Sequence, residues 1–254
     1  MSDPTARLAL VTNATGFAGP PAVSALLEAG FQVLAHDASF GRGQDWESFS
    51  GSRARLEPIT EAEPEAVAAR ALERTGELAV IVSNDHFPAP AHMPDTAPIE
   101  EMRSNYEKLL EFPFRLIRAA LPHLRAQQAA NIVMITSNRM RLPLSGGAFP
   151  DAARSGANAL VRSLAIDCAK DGIVVNAIAP NFLYSEAYYP KAFFVETERG
   201  RDFVRQNVPV GRLADPQEIG EVIAFLATVK TRFLTGAIID FSGGWPFGPA
   251  RPQS

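Results

Sequence analysis

Cys168 is the one cysteine in this chain, so an internal disulfide and a thiolate metal cluster are both excluded. Its apolar helical surroundings predict a buried structural thiol. The four histidines, His36, His86, His92 and His123, show no metal-ligand spacing such as His-Glu-x-x-His, and no metal is expected. Positive charge is not in excess either: 24 Lys and Arg against 28 Asp and Glu leave a net charge of -4. With no basic field to gather phosphates, neither nucleic acid nor a membrane surface is expected as a partner. No uncharged apolar run reaches the roughly 18 residues of a membrane helix. The short polar start, Met1 to Arg7, has no signal core, and repeats and low-complexity tracts are lacking. These absences predict a soluble, cytoplasmic protein whose partner is a small molecule or another copy of itself.

What is present fits one α/β domain spanning residues 1–254, since the chain is 46% hydrophobic and 20% charged. Short apolar runs alternate with segments of helical period, the form taken by repeated βαβ units around a parallel sheet. Strands are expected at Leu8 to Thr12, Phe31 to Ala35, Leu78 to Ser83, Asn131 to Ser137, Ile173 to Ile178 and Ala237 to Phe241, with a weak one near Arg55 to Pro58. Helices are expected at Pro20 to Ala29, Pro64 to Thr75, Ile99 to Gln127, Asp151 to Lys170 and Pro216 to Thr228, with Pro113 bending or dividing the third. The helix from Asp151 is rich in small residues, which suits close packing on the sheet or contact with a symmetry mate in a dimer or tetramer. Residues 181–207 form the least regular stretch, on the carboxyl side of the sheet where ligands bind, and are expected to form a pocket lid. Residues 245–254 are expected to form a C-terminal tail, in which Trp245 and Phe247 either cap a pocket or anchor packing.

The run Leu8-Ala-Leu-Val-Thr-Asn-Ala-Thr-Gly-Phe-Ala-Gly19 resembles the short-chain dehydrogenase/reductase family. So do Val82-Ser-Asn84, Ile135-Thr-Ser137, Pro180-Asn181, Pro209-Val-Gly-Arg-Leu213 and Ser242-Gly-Gly244, in family order across almost the whole chain. The resemblance implies a single Rossmann-like, doubly wound parallel sheet with helices on both faces. Cofactor-binding members carry Thr-Gly-x-x-x-Gly-x-Gly after the first strand, where the missing side chains let the backbone approach a pyrophosphate. Here those glycine positions read Asn13, Phe17 and Gly19, and Pro20 and Pro21 remove two backbone donors from the helix start. No cofactor is therefore expected. Asp37, after the second strand, points the other way, because an acid there binds the adenosine ribose in NAD-dependent relatives.

Asn13, Phe17, the segment from His36 to Phe40, Ser83-Asn84-Asp85 and Pro180-Asn181-Phe182-Leu183 are similar to the halohydrin dehalogenase branch. That resemblance implies a cofactor-independent lyase that interconverts vicinal haloalcohols and epoxides and opens epoxides with small anions. In the family a serine and a tyrosine hold the substrate oxygen, and an arginine four residues after the tyrosine lowers its pKa. Ser137 and Arg154 match the serine and arginine, but the position four before Arg154 is Pro150 and the tyrosine is not matched.

The residues assigned to an apolar substrate or halide pocket are Phe17, Asp85, Phe87, Pro180, Asn181, Phe182, Leu183 and Tyr189. Asp85 is also the expected carboxylate partner of Arg154. A replacement base must come from elsewhere. His86 is the first candidate, because imidazole titrates in the useful range, and Tyr184, Tyr188, Tyr189 and Asp151 follow. The expected partners are a haloalcohol or epoxide and a halide. Two further readings compete: a catalytically silent relative that binds a small ligand or serves as a scaffold, and an NAD(P)-dependent reductase.

Overall fold

Parallel strands that are apolar on both faces need helices on both sides, and the computed structural model, which describes residues 7–248, has that arrangement. Its strands are β1 (Arg7–Val11), β2 (Gln32–His36), β3 (Leu56–Ile59), β4 (Glu77–Ser83), β5 (Ala130–Ile135), β6 (Ile173–Pro180) and β7 (Ile238–Phe241). Among the described residues they form one seven-stranded parallel sheet in the order β3-β2-β1-β4-β5-β6-β7. All of β5 and β6 is buried, as is β4 after Glu77. These are the runs that lack polar alternation in the sequence.

The helices are α1 (Gly19–Glu28), α2 (Gly43–Ser50), α3 (Pro64–Leu72), α4 (Ile99–Tyr106), α5 (Phe112–Gln127), α6 (Ala148–Cys168), α7 (Lys191–Phe194), α8 (Glu198–Asn207) and α9 (Pro216–Thr228). On one face of the sheet α3, α5 and α6 bury Val67, Leu116, Leu124, Val161 and Cys168. On the other, α1 and α9 bury Val23, Leu26, Ile219 and Ile223. Cys168 is fully buried, as its surroundings suggested. None of the described helices is long and apolar enough to cross a membrane.

Sequence periodicity found every strand to within a few residues, and three helical features departed from it. The long third helix is interrupted by a π turn at Glu107–Glu111, immediately before Pro113 in the first turn of α5. The π turn accommodates the missing proline N–H by widening the helix just before it, so the proline divides the helix. The 43–50 segment is helical although its short, largely polar sequence gave no such signal. The stretch 181–207 is more regular than expected. Its second helix, α8, is capped by Thr197, whose Oγ1 accepts from the Gly200 amide at 3.0 Å, and laced by Glu198 to Arg201 (2.7 Å) and Arg205 (2.6 Å). The expected tail 245–254 is described only through Gly248.

Because β2 and β3 lie on one side of β1 while β4 and its successors lie on the other, connections diverge between β1 and β4. A crevice opens there at the carboxyl edge of the sheet. The turn after β1, the segments after β4 and β5, and the 181–207 stretch after β6, the expected lid, all meet at this edge.

Candidate active site

The turn between β1 and α1 keeps the backbone path of a glycine loop while using other side chains. Asn13 and Phe17 hold φ of 46° and 48°. Asparagine tolerates this left-handed region, whereas a bulky phenylalanine there is strained and needs outside support. Support comes from Asn84, whose Nδ2 donates to the carbonyls of Asn13 and Gly16, both at 2.9 Å. Glycine is needed at 16 because a Cβ there would lie 2.5 Å from the His86 ring nitrogen Nε2.

Anion-binding capacity is largely used up inside this turn. The Gly19 amide donates to Gly16 O at 2.8 Å, and the two prolines that follow in the first turn of α1 have no N–H. Asp37 is occupied as well: Thr15 Oγ1 donates to it at 2.5 Å, and the Ser39 amide at 3.0 Å. Burial pushes the Asp37 carboxyl up, but these hydrogen bonds outweigh it and hold the group below its ordinary range.

Around Arg154 the structure assembles a second group. This guanidinium, on the first half of α6, is 7% exposed. Nη1 donates to the Thr136 carbonyl at 3.3 Å and Nη2 to the Tyr188 hydroxyl oxygen at 3.1 Å. The expected pairing with Asp85 is not formed. Asp85 instead accepts from Thr12 Oγ1 (3.0 Å), Asn13 Nδ2 (2.6 Å) and Ser83 Oγ, which ties the ends of β1 and β4 together. Burial pushes its pKa up to about 6 despite those donors and the more distant Arg154 charge. Asp85 is thus a strut beneath the crevice.

Ser137 follows β5 and is half-buried. Its Oγ accepts from the Arg139 amide at 3.1 Å and makes a long contact of 3.5 Å to the Pro180 carbonyl, while Asn158 Nδ2 holds its backbone carbonyl at 2.9 Å. Tyr188 reaches the site from the lid. Its ring meets Phe17 edge-on at 5.0 Å and His86 at 6.2 Å between centroids, and Phe17 and His86 are 5.7 Å apart. Burial, and then the Arg154 charge, lower the His86 pKa to about 4, so His86 is neutral across the range in which it was expected to titrate.

The other pocket candidates divide between two places. Phe87 is half-buried beside this cluster, and its amide faces the Tyr188 hydroxyl. Pro180 and Asn181 form the turn leaving β6; Asn181 Oδ1 accepts from the Phe182 amide (3.0 Å) and the Tyr189 hydroxyl (2.6 Å). Leu183 is buried in the main core against the α1 and α9 face. Phe182 and Tyr189 join Trp245 and Phe194 in a small separate core beneath the lid, so Trp245 packs within its own chain, while Phe247 is 54% exposed. A cleft of about 520 Å³ opens at the start of α6, lined by His92, Met140, Leu144, Asp151 and Ser155. Ser137, Arg154 and Tyr188 do not line it; the Tyr188 ring packs against Phe17 while its hydroxyl meets Arg154.

A family model described as "Enoyl-(Acyl carrier protein) reductase" matches residues 18–246 of the chain. The chain belongs to the short-chain dehydrogenase/reductase superfamily. Among solved superfamily structures, a halohydrin dehalogenase bound to ethyl (2S)-oxiran-2-ylacetate is 31% identical, with TM-score 0.92, over 97% of this chain and 100% of that one. A structure described as a dehalogenation enzyme is also 31% identical, with TM-score 0.89, over 95% and 98% of the two chains. Among curated superfamily members, L-fucose dehydrogenase of Rattus norvegicus is 27% identical over 98% of this chain and 92% of that protein. Structural similarity therefore includes dehalogenases and sequence similarity includes dehydrogenases, within one superfamily fold. Sequence reasoning placed Tyr188 among three lid tyrosines without a way to rank them. It missed the Thr15 to Asp37 bond altogether, because only the fold brings these residues together.

Proposed function

We propose that the chain is a cofactor-independent lyase of the halohydrin dehalogenase type, which interconverts vicinal haloalcohols and epoxides and opens epoxides with small anions. The observation that carries this reading is the β1–α1 turn, in which Phe17 occupies a glycine position and Asp37 and the Gly19 amide are bonded within the protein. A nucleotide would have to compete for these groups and move the Phe17 ring. In the proposed reaction Ser137 Oγ donates to the substrate oxygen, and the fixed charge of Arg154 favours the alkoxide form. The halide leaves toward Phe17 and the turn at Pro180 and Asn181, where aromatic and apolar surface suits a large polarisable anion. The 31% identical dehalogenation proteins support the same reading.

The dehydrogenase relatives favour a reductase reading, and Pro150 favours a catalytically silent one. Two measurements separate the three. Incubation with a panel of small vicinal bromo- and chloroalcohols should release halide, measured by ion chromatography. Calorimetry with NADH and NADPH should show no binding tighter than about millimolar, a weak limit of about -4 kcal/mol. Micromolar cofactor binding would establish the reductase reading in place of ours. Neither halide release nor cofactor binding would favour the silent one.

A further inference from the structure

We propose that Tyr188, carried into the site by the lid, is the proton acceptor for the substrate hydroxyl, in place of the tyrosine missing four residues before Arg154. The inference rests on the dehalogenase reading. Its basis is the hydrogen bond that Arg154 donates to the Tyr188 hydroxyl oxygen at 3.1 Å, the contact that brings a phenol to this guanidinium from a different element of the chain. The other nitrogen of Arg154 holds the carbonyl of Thr136, the residue before Ser137. One buried cation thus links the phenol to the strand end that presents the serine. Phe17, His86 and Tyr188 form one three-ring cluster with centroids 5.0–6.2 Å apart, and this packing supports the Tyr188 ring on one side.

The remaining candidates are committed elsewhere. Tyr184 donates to Glu186 at 2.6 Å on the exposed side of the lid, and Tyr189 donates to Asn181 inside the lid core. Asp151 is paired with Arg139 at 2.7 Å. Pro150 sits in the first turn of α6, where a missing N–H costs the helix nothing, and lines a small void with Ala89, Pro90 and Asn105.

In the forward reaction Tyr188, ionised, takes the proton of the substrate hydroxyl. The oxygen then bonds to the neighbouring carbon, the carbon–halogen bond breaks, and its electron pair leaves with the halide. Tyr188 returns the proton to solvent, and the net products are epoxide, halide and a proton. The ionisable groups facing the phenol are Arg154 from α6, Arg139 from the segment after β5, and His86 from the segment after β4. Burial holds the hydroxyl above its usual 10 and outweighs the opposing pull of Arg154, of the Phe87 amide and of Arg139. The rate should therefore climb about tenfold per pH unit up to and beyond about pH 10. His86, neutral above about 4, should add no step.

The test compares the parent, Tyr188→Phe, and Tyr188→Phe combined with Pro150→Tyr, with folding checked by circular dichroism and melting. Tyr188→Phe should lower halide release about 10²- to 10⁴-fold and abolish the alkaline slope. The double variant, with a phenol restored four residues before Arg154, should regain part of the loss. A folded Tyr188→Phe that keeps the parental rate and slope overturns this inference and leaves the dehalogenase reading standing. A parent that releases no halide from any haloalcohol overturns both. If Tyr188→Phe fails to fold, the parent decides: a rate that is flat between about pH 8 and about pH 10 excludes a buried phenol as base.

Discussion

Asp85 shows what one buried acid does to the whole chain. It is 5% exposed, held by three side-chain donors, and its pKa is pushed up to about 6 by burial. The unfolded carboxyl titrates near the ordinary aspartate value of 3.8, so the folded protein holds this proton more tightly than the unfolded chain does. The stability it contributes is fully present below about pH 4 and is lost as pH rises through about 6, a change of about 3 kcal/mol for a shift of roughly two units. Urea melts of the parent should show this decline, and Asp85→Asn should flatten it. A folded Asp85→Asn with the parental pH slope would place the titration on some other group.

At the scale of elements, β5 and α9 share apolar packing and a polar junction built on one side chain. Asn131 on β5 is 4% exposed, and its Nδ2 donates to the carbonyls of Leu226 and Ala227 at 2.9 Å and of Val229 at 3.2 Å. These belong to the last turn of α9 and the residue after it, where helix geometry leaves carbonyls without partners. Arg232 Nη1 completes the junction by donating to Asn131 Oδ1 at 2.6 Å. Asn131→Ala would remove the donor from acceptors that water does not reach, at a cost of about 1–3 kcal/mol. Chemical denaturation should register that loss with the sheet intact. A loss no greater than that of an exposed alanine substitution would mean that water replaces the side chain.

At the scale of the whole molecule, the outer face of α6 is left exposed among the described residues. Ala152, Ser155 and Ala159 are exposed along it and Ile166 is 79% exposed; on the far side Phe225 is 54% exposed and Phe233 fully so. Small residues permit close helix approach, and exposed apolar side chains of this size favour association. Sedimentation velocity should therefore find a dimer or tetramer. Ile166→Glu, which places a charge on the C-terminal end of the exposed α6 face, should shift the population toward monomer. A parent that is monomeric at tens of micromolar, well above the Kd of a stable dimer, would remove this expectation.

Much of this protein is set by local order along the chain. The apolar runs at 78–83, 131–137 and 173–178 are buried strands because no polar alternation gives them a solvated face, and the βαβ alternation makes the sheet parallel. Asn13, Phe17, Pro20 and Pro21 mark an altered phosphate turn in the sequence itself, since steric size and missing N–H groups are properties of the residues. Ser137 and Arg154 are singled out only through the family resemblance, which matches them to its serine and arginine by position. The structure decides what depends on distance between elements. Arg154 meets Tyr188, 34 residues away, while Asp85, the partner expected from position, is taken by Thr12, Asn13 and Ser83. Asp37 is spent on Thr15, and Leu183 and Phe182 face two different cores although they are neighbours in sequence. Sequence period fixes which side of an element is apolar. It carries no information on which lid tyrosine folds over which helix, because that choice is made by packing among Phe17, His86 and Arg154 after the sheet has brought their elements together.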